Sequence, residues 1–264
     1  MSKQLVAGVL MRIRLIYLVF LFTLTSIQAQ PKITKLTGGH NAWPPYIEEN
    51  GKGLINDIVS AAFRTQGVEF KIKIAPFSRI MMMVENRQID LVVALWETEE
   101  RRKSFLFSAP YFYNEMVLVS KKTNPIDYQG VESLRYRSVA TVRGYGYHVL
   151  LDSIDELGII DVLNLHTCLE LVNKGRAEVA IADYLAFEYE RSKKLEYNQL
   201  QAYHPALIRW PLHIGVNMLH PNAEQIIRRF NLGLAQIQGS GEYNKILSTY
   251  IEDNRFKVAL STVP

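Results

Sequence analysis

The side chains with the chemistry to hold a small molecule lie directly after the short apolar runs of this sequence. In an open parallel α/β sheet, ligands bind beyond the carboxyl ends of the strands, so residues that follow strands are the first candidates. These candidates are Trp43, Phe77, Trp96, Thr98, Arg101, Arg143, Gly144, Tyr145 and Asp183. They offer aromatic walls, a fixed cation, a glycine turn at a helix start and one carboxylate. That combination suits a small zwitterion.

Each polar candidate also has a purely structural interpretation. The segment Trp-Pro-Pro-Tyr at 43–46 suits a rigid turn that packs on the core. Arg101 lies in a run of acids followed by bases, the order that a short solvent-exposed helix prefers. Gly144 suits a structural turn between a strand and a helix. Asp183 suits the N-cap of the helix that follows it. At the level of the sequence these alternatives stay open.

Signatures of catalysis and of metal binding are absent from the sequence. There is no GxSxG, P-loop or HExxH motif, and the six histidines (40, 148, 166, 204, 213, 220) lack the spacing of metal ligands. The single cysteine, Cys168, lies on the apolar face of a predicted helix and is interpreted as a small buried hydrophobic residue. We therefore expect no metal, no cofactor and no covalent intermediate.

Alternating strands and amphipathic helices must position these residues. The first region predicts strands at 32–37, 68–74 and 89–96 and helices at 55–63 and 79–88. The second predicts strands at 116–122, 138–142, 159–163 and 178–183 and helices at 146–157 and 166–174. The tail predicts a strand at 213–218 and helices at 226–237 and 242–252. This order indicates doubly wound α/β units. A short repeat between 86–96 and 174–184 suggests two similar units.

Composition describes an ordinary globular chain. The 264 residues are 48% hydrophobic and 21% charged, and the formal net charge is +4. Removing residues 1–29, which hold three basic residues and no acids, leaves 27 basic and 26 acidic residues. A nearly neutral mature chain lacks the basic stripe that a nucleic-acid partner requires, so we expect none.

The first 29 residues have the pattern of a secretory signal. Arg12 and Arg14 precede an apolar run over 15–24, and small and polar residues follow as far as Ala29. The apolar run is short for a membrane span, although an uncleaved anchor is the competing interpretation. No cysteine lies near the cleavage position, which argues against a lipoprotein. We expect a periplasmic protein that begins near Gln30, with Met1 or Met11 as the translation start.

Four segments carry a resemblance to a known family. They are Gly53–Ile58 (GLINDI), the run 90–112 (DLVVALWETEERRKSFLFSAPYF), Val139–Gly144 (VATVRG) and Gly241–Leu247 (GEYNKIL). In this order they make the mature chain similar to the bacterial periplasmic solute-binding proteins of family 3, the polar amino-acid receptors of ABC importers. The resemblance covers essentially the whole mature chain.

The resemblance implies a fold and a set of ligand contacts. The fold is α/β, the two-lobed type II periplasmic binding protein fold with a ligand cleft between the lobes. Lobe 1 would span 30–112 and 212–264, lobe 2 would span 116–207, and the hinge crossovers would lie at 113–115 and 208–211. Arg101 would bind the ligand α-carboxylate, Asp183 the α-amino group, and Trp43 would cover the ligand side chain.

Two positions depart from the family pattern. Trp96 stands where amino-acid receptors often carry a small hydroxyl residue, and Tyr145 with Gly146 replaces the Thr-rich turn expected after Gly144. Both changes make the pocket more aromatic. Aromatic amino acids, modified amino acids and other small organic acids are therefore also candidate ligands.

The function that follows is capture of a small amino-acid-like or carboxylate ligand by a monomer that delivers it to an inner-membrane ABC permease, without catalysis. Two alternatives stay open. One is a secreted enzyme similar to a cyclohexadienyl dehydratase, with Glu97 as the general acid. The other is a ligand-sensing module for a separate membrane partner.

Overall fold

The computed structural model describes residues 33–251, and the predicted signal at 1–29 lies outside the described residues. Among the described residues, no helix combines the length and the apolar character that crossing a membrane requires. Cys168 is buried, as expected, and burial raises the pKa of its thiol to about 12.

Within residues 33–251 the chain forms ten strands and eight α-helices. The strands are β1 (Lys35–His40), β2 (Glu69–Ile74), β3 (Leu91–Leu95), β4 (Phe105–Phe107), β5 (Phe112–Lys121), β6 (Ser138–Val142), β7 (Gly158–Val162), β8 (Val179–Asp183), β9 (Leu200–Ala202) and β10 (Ile208–Asn217). The helices are α1 (Leu54–Thr65), α2 (Phe77–Glu85), α3 (Glu99–Arg102), α4 (His148–Leu151), α5 (Leu165–Asn173), α6 (Tyr184–Lys193), α7 (Ala223–Gly239) and α8 (Glu242–Ile251).

Hydrogen bonds join the strands in the order β2-β1-β3-β10-β5-β8-β6-β7, with β4 beside β10 and β9 beside β5. Strand β1 is parallel to β2 and β3, and β6 is parallel to β7 and β8. The two parallel groups are linked by β5 and β10, which pair antiparallel through residues 112–116 and 208–212. This pairing includes the predicted crossovers at 113–115 and 208–211, and the lobe boundaries themselves stay a prediction.

The repeat between 86–96 and 174–184 corresponds to the same local structure in both parallel groups. Asp90 directly precedes β3, and its carboxylate accepts a backbone N–H of β1 at 2.6 Å. Glu178 directly precedes β8, and its carboxylate accepts the first backbone N–H of β6 at 3.0 Å. Each acid therefore fixes the start of one parallel strand against its neighbour.

The elements differ from the sequence prediction at several places: β4 and β9 were not predicted, and β5 begins four residues earlier than predicted. Three further differences concern β1, α4 and β10. Strand β1 begins later than predicted and runs through Gly38, where a Cβ atom would lie 2.6 Å from the Phe70 ring, so the glycine allows close strand packing rather than ending the strand. The helix predicted at 146–157 is only the single turn α4, because the chain leaves the helix in a turn at Asp152 and Ser153, and Glu156 further on has a φ of +60°. Strand β10 begins five residues earlier than predicted, where it pairs with β5.

Close packing of α1 against α7 depends on Gly233. A Cβ atom at Gly233 would lie 2.0 Å from the carbonyl oxygen of Ala62. We expect Gly233→Ala to lower the free energy of unfolding in urea by at least ~2 kcal/mol, because the helices must separate. The control is Gly239→Ala, where a Cβ atom meets nothing within 4 Å and the change stays below ~1 kcal/mol. Equal losses in both variants would contradict the tight helix contact.

Candidate ligand-binding site

A cavity of about 520 Å³ lies where the parallel strands end. Its wall includes residues that follow six strands, three from each parallel group: Trp43 after β1, Pro76 after β2, Trp96 after β3, Tyr145 after β6, Asn164 after β7, and Asp183 at the end of β8. The rule that ligands bind beyond the carboxyl ends of strands therefore points to this cavity. Trp43, Trp96, Tyr145 and Asp183 are the sequence candidates that line it.

A second, much smaller cavity of about 20 Å³ shares Trp43, Trp96 and Tyr145 with the large one. Phe77 and Arg101, two further candidates from the sequence, line this small cavity. Its volume suffices for about one water molecule and not for a carboxylate group. The structure thus brings six of the nine candidates to two adjoining spaces.

Arg101 is held by backbone carbonyl groups from both predicted lobes. It lies in the one-turn helix α3, where Thr98 caps the helix by accepting the Arg101 N–H at 3.2 Å. The guanidinium donates from Nη1 to the Trp96 carbonyl at 2.9 Å and from Nη2 to the Gly144 carbonyl at 3.0 Å. Burial lowers the pKa of Arg101 to about 10, so the group stays charged at neutral pH.

The neighbouring Arg102 has a different environment. Its Nε donates to Glu97 at 2.8 Å, and 63% of its side chain is exposed. Arg102 therefore lies on the solvated surface, whereas Arg101 lines the small cavity. Glu97, the acid required by the enzymatic alternative, is paired with Arg102 and lines neither of the two cavities.

The turn at 143–146 carries predicted lobe 2 onto predicted lobe 1. The Tyr145 ring lies 5.1 Å from the Phe77 ring and 5.7 Å from that of Trp96, and its hydroxyl donates to Asn41 Oδ1 at 3.3 Å. A Cβ atom at Gly146 would lie 3.3 Å from the Trp96 ring, so the turn is in direct contact with lobe 1.

Three candidates lie beside the cavities rather than in their walls. Gly144 has a φ of +82°, which a glycine adopts readily, and it contributes its carbonyl group to Arg101. Thr98 caps α3. Arg143 is exposed, and its Nη2 donates to the Asp161 carbonyl at 3.4 Å.

Asp183 ends β8 and caps α6. Its Oδ1 accepts the Ala186 N–H at 2.9 Å, whereas Oδ2 is buried without a hydrogen-bond partner among the described residues. The residue is 4% exposed, and burial raises the pKa of its carboxyl group to about 7. The Tyr46 hydroxyl and the Asn114 amide are close enough to lower this pKa, but neither forms a well-aligned hydrogen bond with Oδ2. A buried carboxylate is costly, and Oδ2 can accept a further donor from a ligand.

Sequence reasoning missed several residues of the large cavity, above all Tyr147, His166 and Glu190. The strand-end rule, applied to β7 as it was to the other strands, would have found the segment 163–166. Glu190 lies seven residues after Asp183, which is two helical turns, so the helical period offered a signal for it as well. Within the described residues, no group of three or more His, Cys, Asp or Glu side chains is arranged to hold a metal ion.

Comparisons with known proteins agree with this geometry. The family of bacterial extracellular solute-binding proteins, family 3, matches residues 36–253. The arginine-binding periplasmic protein of Mannheimia haemolytica is 24% identical over 217 residues, which cover 80% of this chain and 88% of that protein.

Two solved structures show a similar fold. An ancestral arginine-binding protein bound to arginine has a TM-score of 0.72 and 23% identity, and the match covers 81% of this chain and 97% of that one. A histidine kinase sensor domain with similarity to periplasmic binding proteins has a TM-score of 0.74 and 21% identity, with 83% and 96% covered. The expected α/β, two-lobed fold with a cleft between the lobes is confirmed.

The raised pKa of Asp183 predicts how stability depends on pH. The folded protein binds a proton at this carboxyl group more tightly than the unfolded chain does, so its free energy of unfolding falls as the pH rises from about 4 to about 7. Asp183→Asn keeps an N-cap acceptor but carries no charge. We expect this variant to be more stable than the wild type in urea at pH 8, by roughly 2–4 kcal/mol.

The exposed Asp152 provides the control for this measurement. Asp152→Asn should follow the wild-type pH dependence of unfolding. If Asp183→Asn also kept the wild-type slope between pH 4 and 7, the assignment of the raised pKa to Asp183 would be wrong.

Proposed function

The chain belongs to family 3 of the bacterial extracellular solute-binding proteins, and we propose that it captures an amino acid between its lobes for an ABC importer. The observation that carries the proposal is the placement of a cation and a carboxylate in adjoining cavities, Arg101 in lobe 1 and Asp183 in lobe 2. A zwitterion has one partner for each of them.

The chemistry of the two groups suits opposite ends of an amino acid. The guanidinium offers a planar fork of donors to a carboxylate, and the free Oδ2 of Asp183 accepts from an ammonium group. Because the two groups belong to different lobes, a ligand that binds both would hold the cleft closed.

Ligand entry at Arg101 requires a local exchange of partners. The Gly144 carbonyl now takes one guanidinium donor, and the small cavity beside Arg101 does not hold a carboxylate. The turn at 143–146 therefore has to withdraw before the ligand carboxylate replaces the Gly144 carbonyl. That replacement is favourable in itself, since a charged acceptor forms a stronger hydrogen bond with arginine than a neutral one.

The relatives support the choice of ligand class and of compartment. One is named as an arginine-binding periplasmic protein, and a similar structure is that of an arginine-binding protein. Arginine is accordingly the first ligand to test. The secretory pattern of residues 1–29 supports a periplasmic location. The family to which the chain belongs supports the further proposal of a monomeric carrier with a permease partner in the inner membrane.

A sensory role is the second candidate function, because the same fold occurs in a histidine kinase sensor domain. Ligand binding alone does not separate a carrier from a sensor. Uptake of labelled ligand does, since deleting the gene of a carrier abolishes uptake at low ligand concentration, whereas deleting that of a sensor leaves transport intact.

Comparing two adjacent arginines tests the ligand clamp. We expect Arg101→Ala to weaken arginine binding by more than 100-fold in calorimetric titration, or about 3 kcal/mol, because the ligand carboxylate loses its charged partner. Arg102→Ala should change the affinity by less than about 5-fold, since its salt bridge is exposed. Equal affinities for the two variants would refute the clamp.

A further inference from the structure

We propose that Glu190 and His166 form a subsite that binds a cationic ligand side chain, so that the protein selects amino acids with a second positive charge. This inference rests on the proposed function, because it assigns the part of the ligand that Arg101 and Asp183 leave free.

The first argument is the charge of the large cavity. Three carboxyl groups line it, those of Glu49, Asp183 and Glu190, and within the described residues no lysine or arginine does. Asp183 is matched by the ligand α-ammonium group. The negative charges of Glu190 and of the more exposed Glu49 then have no cationic partner in the cavity wall, and a second positive charge on the ligand would provide one.

The second argument is the hydrogen bonding of His166. Its Nε2 lies 3.0 Å from Lys194 Nζ, and an ammonium group can only donate, so Nε2 is the acceptor. The imidazole proton is then on Nδ1, which lies 3.1 Å from Glu190 Oε2 and donates to it. His166 thus orients the Glu190 carboxylate, and Lys194 behind it does not line the cavity.

The charges behind this wall do not cancel that of Glu190. Lys194 lies 3.9 Å from Glu170 Oε1 and 3.8 Å from Glu196 Oε1, so its positive charge is already matched by acids on its far side. Glu170 also lies 3.5 Å from His166 Nε2. Lys174 also pairs with Glu170, at 3.4 Å, so three carboxylates (Glu170, Glu190 and Glu196) face two lysines (Lys174 and Lys194) in this cluster. Glu190 is the carboxylate of the cluster that reaches the cavity.

The third argument is spacing along one helix. Asp183 caps α6, and Glu190 lies seven residues later in that helix, which separates the two Cα atoms by ~10.5 Å along the helix axis. Both residues line the large cavity, so a ligand that meets both carboxylates needs a cation at each end of a chain several bonds long. Ornithine, lysine and arginine have this arrangement. The aromatic groups of Trp43 and Tyr147 line the same cavity and can cover the apolar stem.

The test compares arginine with citrulline, which has the same shape but a neutral urea group. Calorimetric titration of the wild-type protein should give at least ~30-fold tighter binding of arginine, consistent with loss of a charge-assisted pair. In Glu190→Gln we expect this ratio to fall by ~10-fold or more, with citrulline affinity unchanged within about 2-fold.

The matched control lies on the same helix. Glu188 pairs with Arg191 and is absent from the cavity wall, so Glu188→Gln should keep the wild-type ratio. An unchanged ratio in Glu190→Gln would overturn the subsite. Equal or tighter citrulline binding by the wild type would also overturn it, without reliance on any variant.

Failure of this inference differs from failure of the proposed function. If neutral amino acids bind, and bind through Arg101 and Asp183 regardless of Glu190, only the cationic subsite is wrong. If arginine, citrulline and the other amino acids all fail to bind the wild type, the proposed function fails and the subsite fails with it.

Discussion

The Asp183 carboxylate is buried at the carboxyl end of β8, where only Oδ1 forms a well-aligned hydrogen bond among the described residues, although the Tyr46 hydroxyl and the Asn114 amide lie near the group. Its position is fixed from both sides, because β8 pairs with β5 along its whole length and α6 begins at the next residue, Tyr184. The fold therefore holds a polar group at a place where burial raises its pKa to about 7. Such an arrangement costs stability without a ligand, and a ligand ammonium group would relieve that cost.

Arg101, at the other end of the site, already has hydrogen-bond partners within the protein. Oδ2 of Asp183 lacks a well-aligned hydrogen bond, whereas two of the five N–H donors of Arg101 already bond to the carbonyl groups of Trp96 and Gly144. The turn at 143–146 thus accepts a hydrogen bond from Arg101 across the cleft through the Gly144 carbonyl. In the same turn, the Tyr145 ring packs against the rings of Phe77 and Trp96. The two ends would contribute to ligand affinity in different ways, one by gaining a missing partner and the other by exchanging a neutral acceptor for a charged one.

Much of the fold was predictable from local patterns, because apolar runs and helical periods report burial directly. The strand-end rule located Trp43, Trp96, Tyr145 and Asp183, all of which line the large cavity. The charge pattern by itself left Arg101 and Arg102 nearly equivalent, and the family resemblance pointed to Arg101. The structure adds a physical difference, because Arg101 contacts the Gly144 carbonyl and Arg102 forms an exposed pair with Glu97. Glu190 was missed although its spacing of two helical turns from Asp183 offered a signal, because the polar sequence of α6 does not show which of its faces meets the cavity.

Errors in the predicted elements came from residues whose effect depends on tertiary contacts. Gly38 suggests a strand end, yet it lies inside β1 because the Phe70 ring packs where a Cβ atom would be. The length of α4 was overestimated because helical propensity over 146–157 does not reveal the turn that follows Leu151. In both cases the local pattern was compatible with the prediction, and packing or backbone conformation decided otherwise.

Comparing the two copies of the internal repeat distinguishes residues that stabilise the fold from residues that line the ligand site. Asp90 and Glu178 fix the starts of equivalent strands in the two lobes, so the acid before the strand belongs to the scaffold. The strand ends differ, since β3 ends in Leu95 and β8 ends in Asp183. Both positions are buried, but only the second places a carboxylate in the wall of the cavity. Two similar α/β units thus present unlike ends to the cleft, which is the condition for recognising a ligand whose own two ends differ.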